Sequence, residues 1–411
     1  MSIMPAYQNH TSAQSLSLLR SLIAFDTTSR NSNLDMIEWI RDYLQQFGVQ
    51  SRLTYDKYTK KANLFATVGE GFAPGIILSG HTDVVPVDGQ DWTTDPFGAE
   101  IRGGRLYGRG SCDMKGFIAC ALAAVPKVLA SPTNTPIHFA FSYDEEVGCL
   151  GVRSLLADLA EQNIRAAACI VGEPTEMQAV VGQKGRREMR CCVRGKEAHS
   201  SLPEQGVNAI EYGAQIIAFA QRLAIREAAK GPQQAEFDVP YNTLQCGTTS
   251  GGLSTNTIPR DNEFSLELRY LPRTDANGVF NLIQSFIDAD VLPAMRRLHP
   301  QTSVELTLVN DTPAFEIPVD SPLVQLVQKL TNSTKHSRVA YNTEAGLFQS
   351  YGIPTVICGP GNIEQAHRPD EYIEVDQIVQ CDCFLTSLIE KLRGGPALGN
   401  YPCSPSDQEI T

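Results

Sequence analysis

The 411-residue sequence predicts an α/β fold: a mostly parallel sheet flanked by helices, with a smaller α+β module inserted. Three observations carry this. Short apolar runs alternate with helical stretches over most of the chain, the periodicity changes between Gln183 and Asn310, and carboxylate-rich sequence directly follows the apolar runs. With 42% apolar and 19% charged residues the composition is that of a globular protein of two or three domains, and global disorder is excluded.

The elements follow in order. An amphipathic opening covers Ser15 to Phe25 and then Leu34 to Phe47, the latter placing Ile37, Trp39, Ile40 and Leu44 on one face. Four apolar runs come next, Gly75–Ser79, Ile137–Tyr143, Ala166–Val171 and Thr355–Cys358, each reading as a strand buried on both faces. Between the third and fourth, Arg187–Val193 alternates, Asn208–Ala229 is helical, and Thr243–Cys246 and Glu263–Leu271 are strands. Gly278–Leu298 is helical and Ser303–Val309 is a strand. That β-α-β-β-α-β order is the ferredoxin-like arrangement. It predicts an inserted domain over 183–309 within a discontinuous domain of 1–182 and 310–411. The tail after Arg393 has turn residues and little periodicity, so an irregular terminus is expected.

A net charge of −12 opposes nucleic-acid binding, which needs clustered Lys and Arg. The longest apolar stretch, Phe117–Val125, is far short of the roughly twenty residues that span a bilayer, so no membrane partner is expected. The N-terminus lacks a basic segment followed by an apolar one, which predicts cytoplasmic residence. Eleven scattered cysteines without a CxxC pair fit reduced, buried thiols better than a disulfide framework or a zinc knuckle.

The apolar runs end in His81-Thr-Asp83, Asp144-Glu145-Glu146, Gly172-Glu173, and a Gly/Pro loop leading to His367. Parallel sheets bind ligands beyond the carboxyl ends of their strands, so these groups are expected on one rim. Of seven histidines, His10, His138, His299 and His336 need no function, whereas His81 and His367 suit metal ligation. Carboxylates with few imidazoles suit a dinuclear divalent site, which calls for a bridging carboxylate. Asp113, in the glycine-rich Gly108–Gly116 turn, is the candidate; the alternative is a helix N-cap.

The blocks Ser79-Gly-His-Thr-Asp-Val-Val-Pro86, Gly108–Gly116, Asp144–Glu146, Gly172-Glu-Pro174 and Ala366-His367 together resemble the dinuclear metallo-aminoacylase and carboxypeptidase G (M20) family, over nearly the whole chain. The resemblance implies a zinc-peptidase-like core with a dimerisation, or lid, domain. It implies two zinc ions per subunit, with cobalt able to substitute, held by His81, Glu146, Glu173 and His367 as terminal ligands and Asp113 as bridge. Asp83 would hydrogen-bond the His81 imidazole, and Glu145 would be the general base for a metal-bridging water attacking an amide. His199 would reach the active site of the neighbouring subunit in a homodimer to hold the oxyanion, its alternative being a helix cap.

Arg186, Asn256 and Arg269 match positions that contact a substrate carboxylate, or are otherwise surface charges and strand-edge residues. The loop Asn342-Thr343-Glu344 resembles the deacetylase branch, and Glu344 is expected to meet a side-chain ammonium. The activity implied is removal of the acetyl group from N-acetyl-L-ornithine in arginine biosynthesis. The alternatives are an aminoacylase, a succinyl-diaminopimelate desuccinylase or a dipeptidase, or a non-catalytic amino-acid-binding relative.

Overall fold

A computed structural model describes residues 5–71, 73–131 and 133–393, with side chains from Ser12 onward; the tail expected to be irregular lies outside the described residues. The chain divides into two compact units. The larger comprises the residues up to Gly182, Glu316–Ser337 and the chain from Thr343; the smaller comprises Gln183–Phe315 and Arg338–Asn342.

The four apolar runs become four adjacent parallel strands, in the spatial order Ile137–Ser142, Gly75–His81, Ala166–Pro174 and Thr355–Gly359. Every residue of the first two and the last is buried, which is why these segments read as continuous apolar runs rather than alternating ones. Antiparallel strands Ala62–Val68 and Ser51–Tyr55 extend the sheet beyond Ile137–Ser142. Gly172 permits close approach of a helix to this sheet: a Cβ there would sit 2.0 Å from a ring carbon of Phe117, which is itself fully buried.

Flanking helices include Pro5–Ile23, Gly116–Ala123 and Val375–Arg393, which pack on one another. A buried bond from Ser15 Oγ to Asp382 Oδ1 (2.7 Å) ties the first to the last. The first helix starts ten residues earlier than its apolar pattern indicates and takes in His10. Proline is tolerated in a first turn, where its missing N–H has no intrahelical acceptor, so Pro5 can open it. In the helix Leu34–Gln45, Met36 joins Ile37, Ile40 and Leu44 in the core, while Trp39 is half-buried and ranges along the surface between Phe25 and Tyr43.

The smaller unit is a four-stranded antiparallel sheet in the order Thr243–Gly251, Asp261–Tyr270, Gly185–Arg194, Ser303–Thr312, the strand order of a ferredoxin-like module. Alternate residues Met189, Cys191, Val193, Phe264, Leu266 and Leu268 face a single core. Ile216 and Leu223 of the helix Ala209–Lys230, and Val279 and Ile283 of Ala276–Phe286, face the same core. This unit runs past 309 because the strand from Ser303 continues to Thr312. It also takes in a short segment, Arg338–Asn342, that no periodicity signals.

Ten described cysteines are free, seven of them buried. No described helix is long and apolar enough to cross a membrane.

Candidate active site and metal centre

His81 closes its strand, Glu173 lies at the end of Ala166–Pro174, and Asp144-Glu145-Glu146 follows Ile137–Ser142. Asp113 comes from the turn Ser111–Lys115; Lys115 holds the cap position of the helix Gly116–Ala123 and the Asp113 carboxylate turns to two histidines, so the N-cap alternative does not hold. His81 Nε2 lies 3.0 Å from Asp113 Oδ1 and 3.8 Å from Glu173 Oε1. His367 Nε2 lies 3.2 Å from Asp113 Oδ2 and 3.1 Å from Glu146 Oε2. Asp113 thus turns one oxygen to each imidazole. Two three-residue sets, His81–Glu173–Asp113 and His367–Glu146–Asp113, share one carboxylate. Imidazole nitrogens and carboxylate oxygens in this arrangement suit a pair of divalent cations that share a carboxylate.

The electrostatics agree. Burial pushes Glu145 up to about 8, and the negative charges of Glu146, Glu344 and Asp113 add to this against the opposing charge of His81. Burial and the Asp113 charge push Glu146 up to about 7, and Glu173 is raised well above the carboxylate range by burial and Asp113. Hydrogen bonds to Asp113 and Glu146 raise His367 to about 11. Burial by itself would lower His81, but Asp113 and Glu173 hold it well above its ordinary value. Asp113 goes the other way, held well below its ordinary value by the two imidazoles against the effect of burial. A cluster of buried carboxylates that draws protons onto itself and its histidines is short of positive charge, which two dications supply.

Asp83 does not act on His81 through its carboxylate. Its main-chain carbonyl lies 2.9 Å from His81 Nδ1, while Oδ1 is 3.7 Å away. The ring therefore donates from Nδ1 to that carbonyl and leaves Nε2 as the donor atom for a cation. The Asp83 carboxylate instead accepts the amide N–H of Glu145 (3.0 Å) and of Glu146 (3.3 Å), and the Ser29 hydroxyl (2.7 Å). Lys61 adds an ion pair to Asp144. The loop bearing the two glutamates is thereby held from both sides. Glu146 turns to His367, whereas Glu145 Oε1 accepts the Cys149 thiol at 3.2 Å and is free of the two ligand sets.

Glu344 is buried, with its oxygens accepting the hydroxyls of Ser79 and Ser142, and burial pushes it up to about 7. Its carboxylate is thus held by the strands beneath the ligands. Thr343 Oγ1 accepts the Ala345 N–H at 3.0 Å, starting the helix Ala345–Ser350.

In the smaller unit, Arg186 and Arg269 stand opposite one another on paired strands. Both donate to Glu267, at 2.6 and 3.0 Å, and Arg186 also pairs with Glu188. The intervening carboxylate, which the motif reading missed, neutralises part of the charge meant for an anion. His199 is exposed on the short strand Ala198–His199, paired with Thr257–Ile258. Its Nδ1 accepts the Ser201 N–H (3.2 Å), so the neutral ring carries its proton on Nε2. Asn256 adjoins it, its carbonyl accepting the Ser200 N–H at 3.0 Å. His199 does not cap the helix Ala209–Lys230; Asn208 does.

Residues 77–391 match the model of peptidase family M20/M25/M40. The chain belongs to this family. It is 35% identical over 388 residues to an acetylornithine deacetylase of Edwardsiella ictaluri, covering 91% of this chain and 96% of that one. An acetylornithine deacetylase of Proteus mirabilis is also 35% identical, covering 90% and 93% respectively. Among solved structures, an M20 family metallo-carboxypeptidase of Sulfolobus solfataricus superposes with a TM-score of 0.73 at 18% identity, covering 92% of this chain and 99% of that one. A dinuclear metal-binding M20 peptidase of Bacillus subtilis does so at 0.66 and 15%, covering 93% and 98%. These last two show the fold. Family membership and the full-length likeness make this chain a metal-dependent amide hydrolase.

Proposed function

We propose that this protein hydrolyses N-acetyl-L-ornithine to ornithine and acetate, as a step of arginine biosynthesis in the cytoplasm, with two zinc ions per subunit that cobalt can replace. The observation that carries the reading is the pair of ligand sets sharing Asp113 with a further buried carboxylate, Glu145, alongside. A non-catalytic binder has no use for a base in that position. The choice of acyl group and amino acid rests on the likeness to the two acetylornithine deacetylases.

The residues that fit the ions are His81 and Glu173, His367 and Glu146, and Asp113 between them. When bound, the ions supply Lewis acidity toward the amide carbonyl and lower the pKa of water. Glu145 takes the proton of the attacking water as oxygen bonds to the acetyl carbon. It returns that proton to the ornithine nitrogen as the carbon–nitrogen bond breaks, and the second proton of the water, left on the new carboxyl group, passes to the freed amine, so acetate and a protonated amine leave. Dications bound beside it would favour the ionised form of Glu145, against the burial that raises its pKa.

In this reading the protein is a homodimer formed through the smaller unit, whose sheet has Thr243–Gly251 and Ser303–Thr312 as outer strands and whose Leu253, Ile210 and Leu298 are exposed. His199 donates from Nε2 to the oxyanion in the neighbouring subunit, and Arg186, Arg269 and Asn256 take the substrate carboxylate. Glu344 meets the ornithine ammonium with a lone pair left over from its two serine bonds. A Glu344→Gln variant keeping full preference for acetylornithine over neutral acetylated amino acids overturns that last role.

The deciding experiment offers the zinc-loaded protein acetylornithine, succinyl-diaminopimelate, acetylmethionine and a dipeptide separately, and measures primary amine release with and without chelator. Dominant, chelator-sensitive turnover of acetylornithine is expected. Dominant turnover of another substrate overturns the substrate assignment.

A further inference from the structure

The two ligand sets are supported differently. His81 and Glu173 belong to central strands, whereas His367 and Glu146 sit on loops. His367 has a φ of +62°, in the left-handed region that non-glycine residues seldom adopt.

A buried cation holds the backbone carbonyls of His367 and the residue after it. Arg109 is 1% exposed and donates from Nη1 to Glu371 Oε2 (2.7 Å) and to the Arg368 carbonyl (3.3 Å), next in the chain to His367. Its Nη2 donates to Gln90 Oε1, and Gln90 Nε2 donates in turn to the His367 carbonyl at 2.9 Å. The Trp92 indole N–H holds the same Gln90 oxygen at 3.0 Å, and the Trp92 ring lies 5.1 Å from the guanidinium. On the far side, Glu371 Oε1 accepts the backbone N–H of Cys112 (3.0 Å) and of Asp113 (3.1 Å). One guanidinium thus ties the backbone under the shared carboxylate to the backbone around His367. A planar fork with several fixed donors does this, where an ammonium could not.

We infer that Arg109, acting through Gln90 and Glu371, is a positioning residue for the His367–Glu146–Asp113 set, and sets the affinity of that cation apart from the one at His81–Glu173. The inference rests on the two-ion reading above. Losing partners behind a metal ligand typically weakens binding by about 10–100-fold. The His81 set shares only Asp113 with this network and is otherwise fixed by the sheet and the Asp83 carbonyl, whereas His367 also depends on it through Gln90 and the Arg368 carbonyl, so the greater loss falls on the ion at His367.

The test is calorimetric titration of the metal-free protein with Zn²⁺, with Co²⁺ absorption spectra reporting ligand geometry. Wild type is expected to bind two equivalents. In Gln90→Ala, which removes no charge from the core, and in Arg109→Lys, the second equivalent is expected to weaken by about 10–100-fold. The first should stay within about threefold, and one of two Co²⁺ spectral components should change. Should Arg109→Lys fail to fold, Gln90→Ala decides alone. Equal weakening of both equivalents, or of neither, overturns the inference while leaving two-ion binding intact. Fewer than two equivalents in wild type overturns the two-ion reading and this inference with it.

Discussion

Replacing Asp83 with asparagine tests how the loop carrying Glu145 and Glu146 is held. The carboxylate presents oxygens to both amide N–H groups and to the Ser29 hydroxyl, all in a residue that is 2% exposed. Asparagine offers one oxygen and one NH₂, so whichever way the amide turns, at least one of the two N–H groups faces a donor. A buried donor left without an acceptor costs about 1–3 kcal/mol. Taking about 2 kcal/mol, the loop opens roughly 30-fold more readily, since about 1.4 kcal/mol is tenfold. Hydrogen–deuterium exchange of a peptide covering residues 143–149 in the metal-free protein should show protection reduced by that factor. In parallel, kcat/KM should fall by about 10²-fold as the base loses its position. Ser29→Ala removes a donor but leaves both amides their acceptors, and should barely alter exchange. If Asp83→Asn lost activity with unchanged exchange over 143–149, the carboxylate would be acting on the His81 ring instead, and the reasoning from these bond lengths would fail.

Glu145→Gln should reduce kcat by about 10²–10⁴-fold while metal stoichiometry by elemental analysis stays that of wild type, because Glu145 belongs to neither ligand set. In the metal-free protein, Glu145, Glu146, Glu344 and His367 all have raised folded-state pKa values, about 8, 7, 7 and 11. The folded form therefore holds more protons than the unfolded chain, and the stability these groups contribute is lost as pH rises. His138, lowered to about 4 by burial, opposes this below 6.5 with a single proton. Thermal unfolding in chelator should thus move to lower temperature between pH 5 and 7, and saturating Zn²⁺ should remove or reverse that trend; a metal-free protein that stabilises over this range contradicts the charge argument. Gly172→Ala should destabilise by about 1–3 kcal/mol in urea unfolding, since its Cβ would overlap the buried Phe117 ring, and should weaken the metal set containing the adjacent Glu173.

Much of the fold and the ligand inventory is local information. A strand covered on both faces must be apolar at every position, so Gly75–His81 and Ile137–Ser142 announce themselves, and the polar residues that follow them stand at the sheet's rim. The alternation of Asp261–Tyr270 likewise reports a sheet with one covered face. The sequence by itself therefore determined which polar side chains stand at the rim of the larger sheet, its four parallel strands, and the strand order of the smaller unit. It could not determine how each is aimed. Only the tertiary structure turned the two oxygens of Asp113 to different imidazoles and gave the His81 ring to the carbonyl of Asp83 rather than its carboxylate. It also placed Glu267 between two arginines and joined Arg109 to Glu371, 262 residues away. Periodicity records whether a residue is buried; the direction of a hydrogen bond between distant loops is set by the packed chain, and leaves no trace in the spacing of either partner.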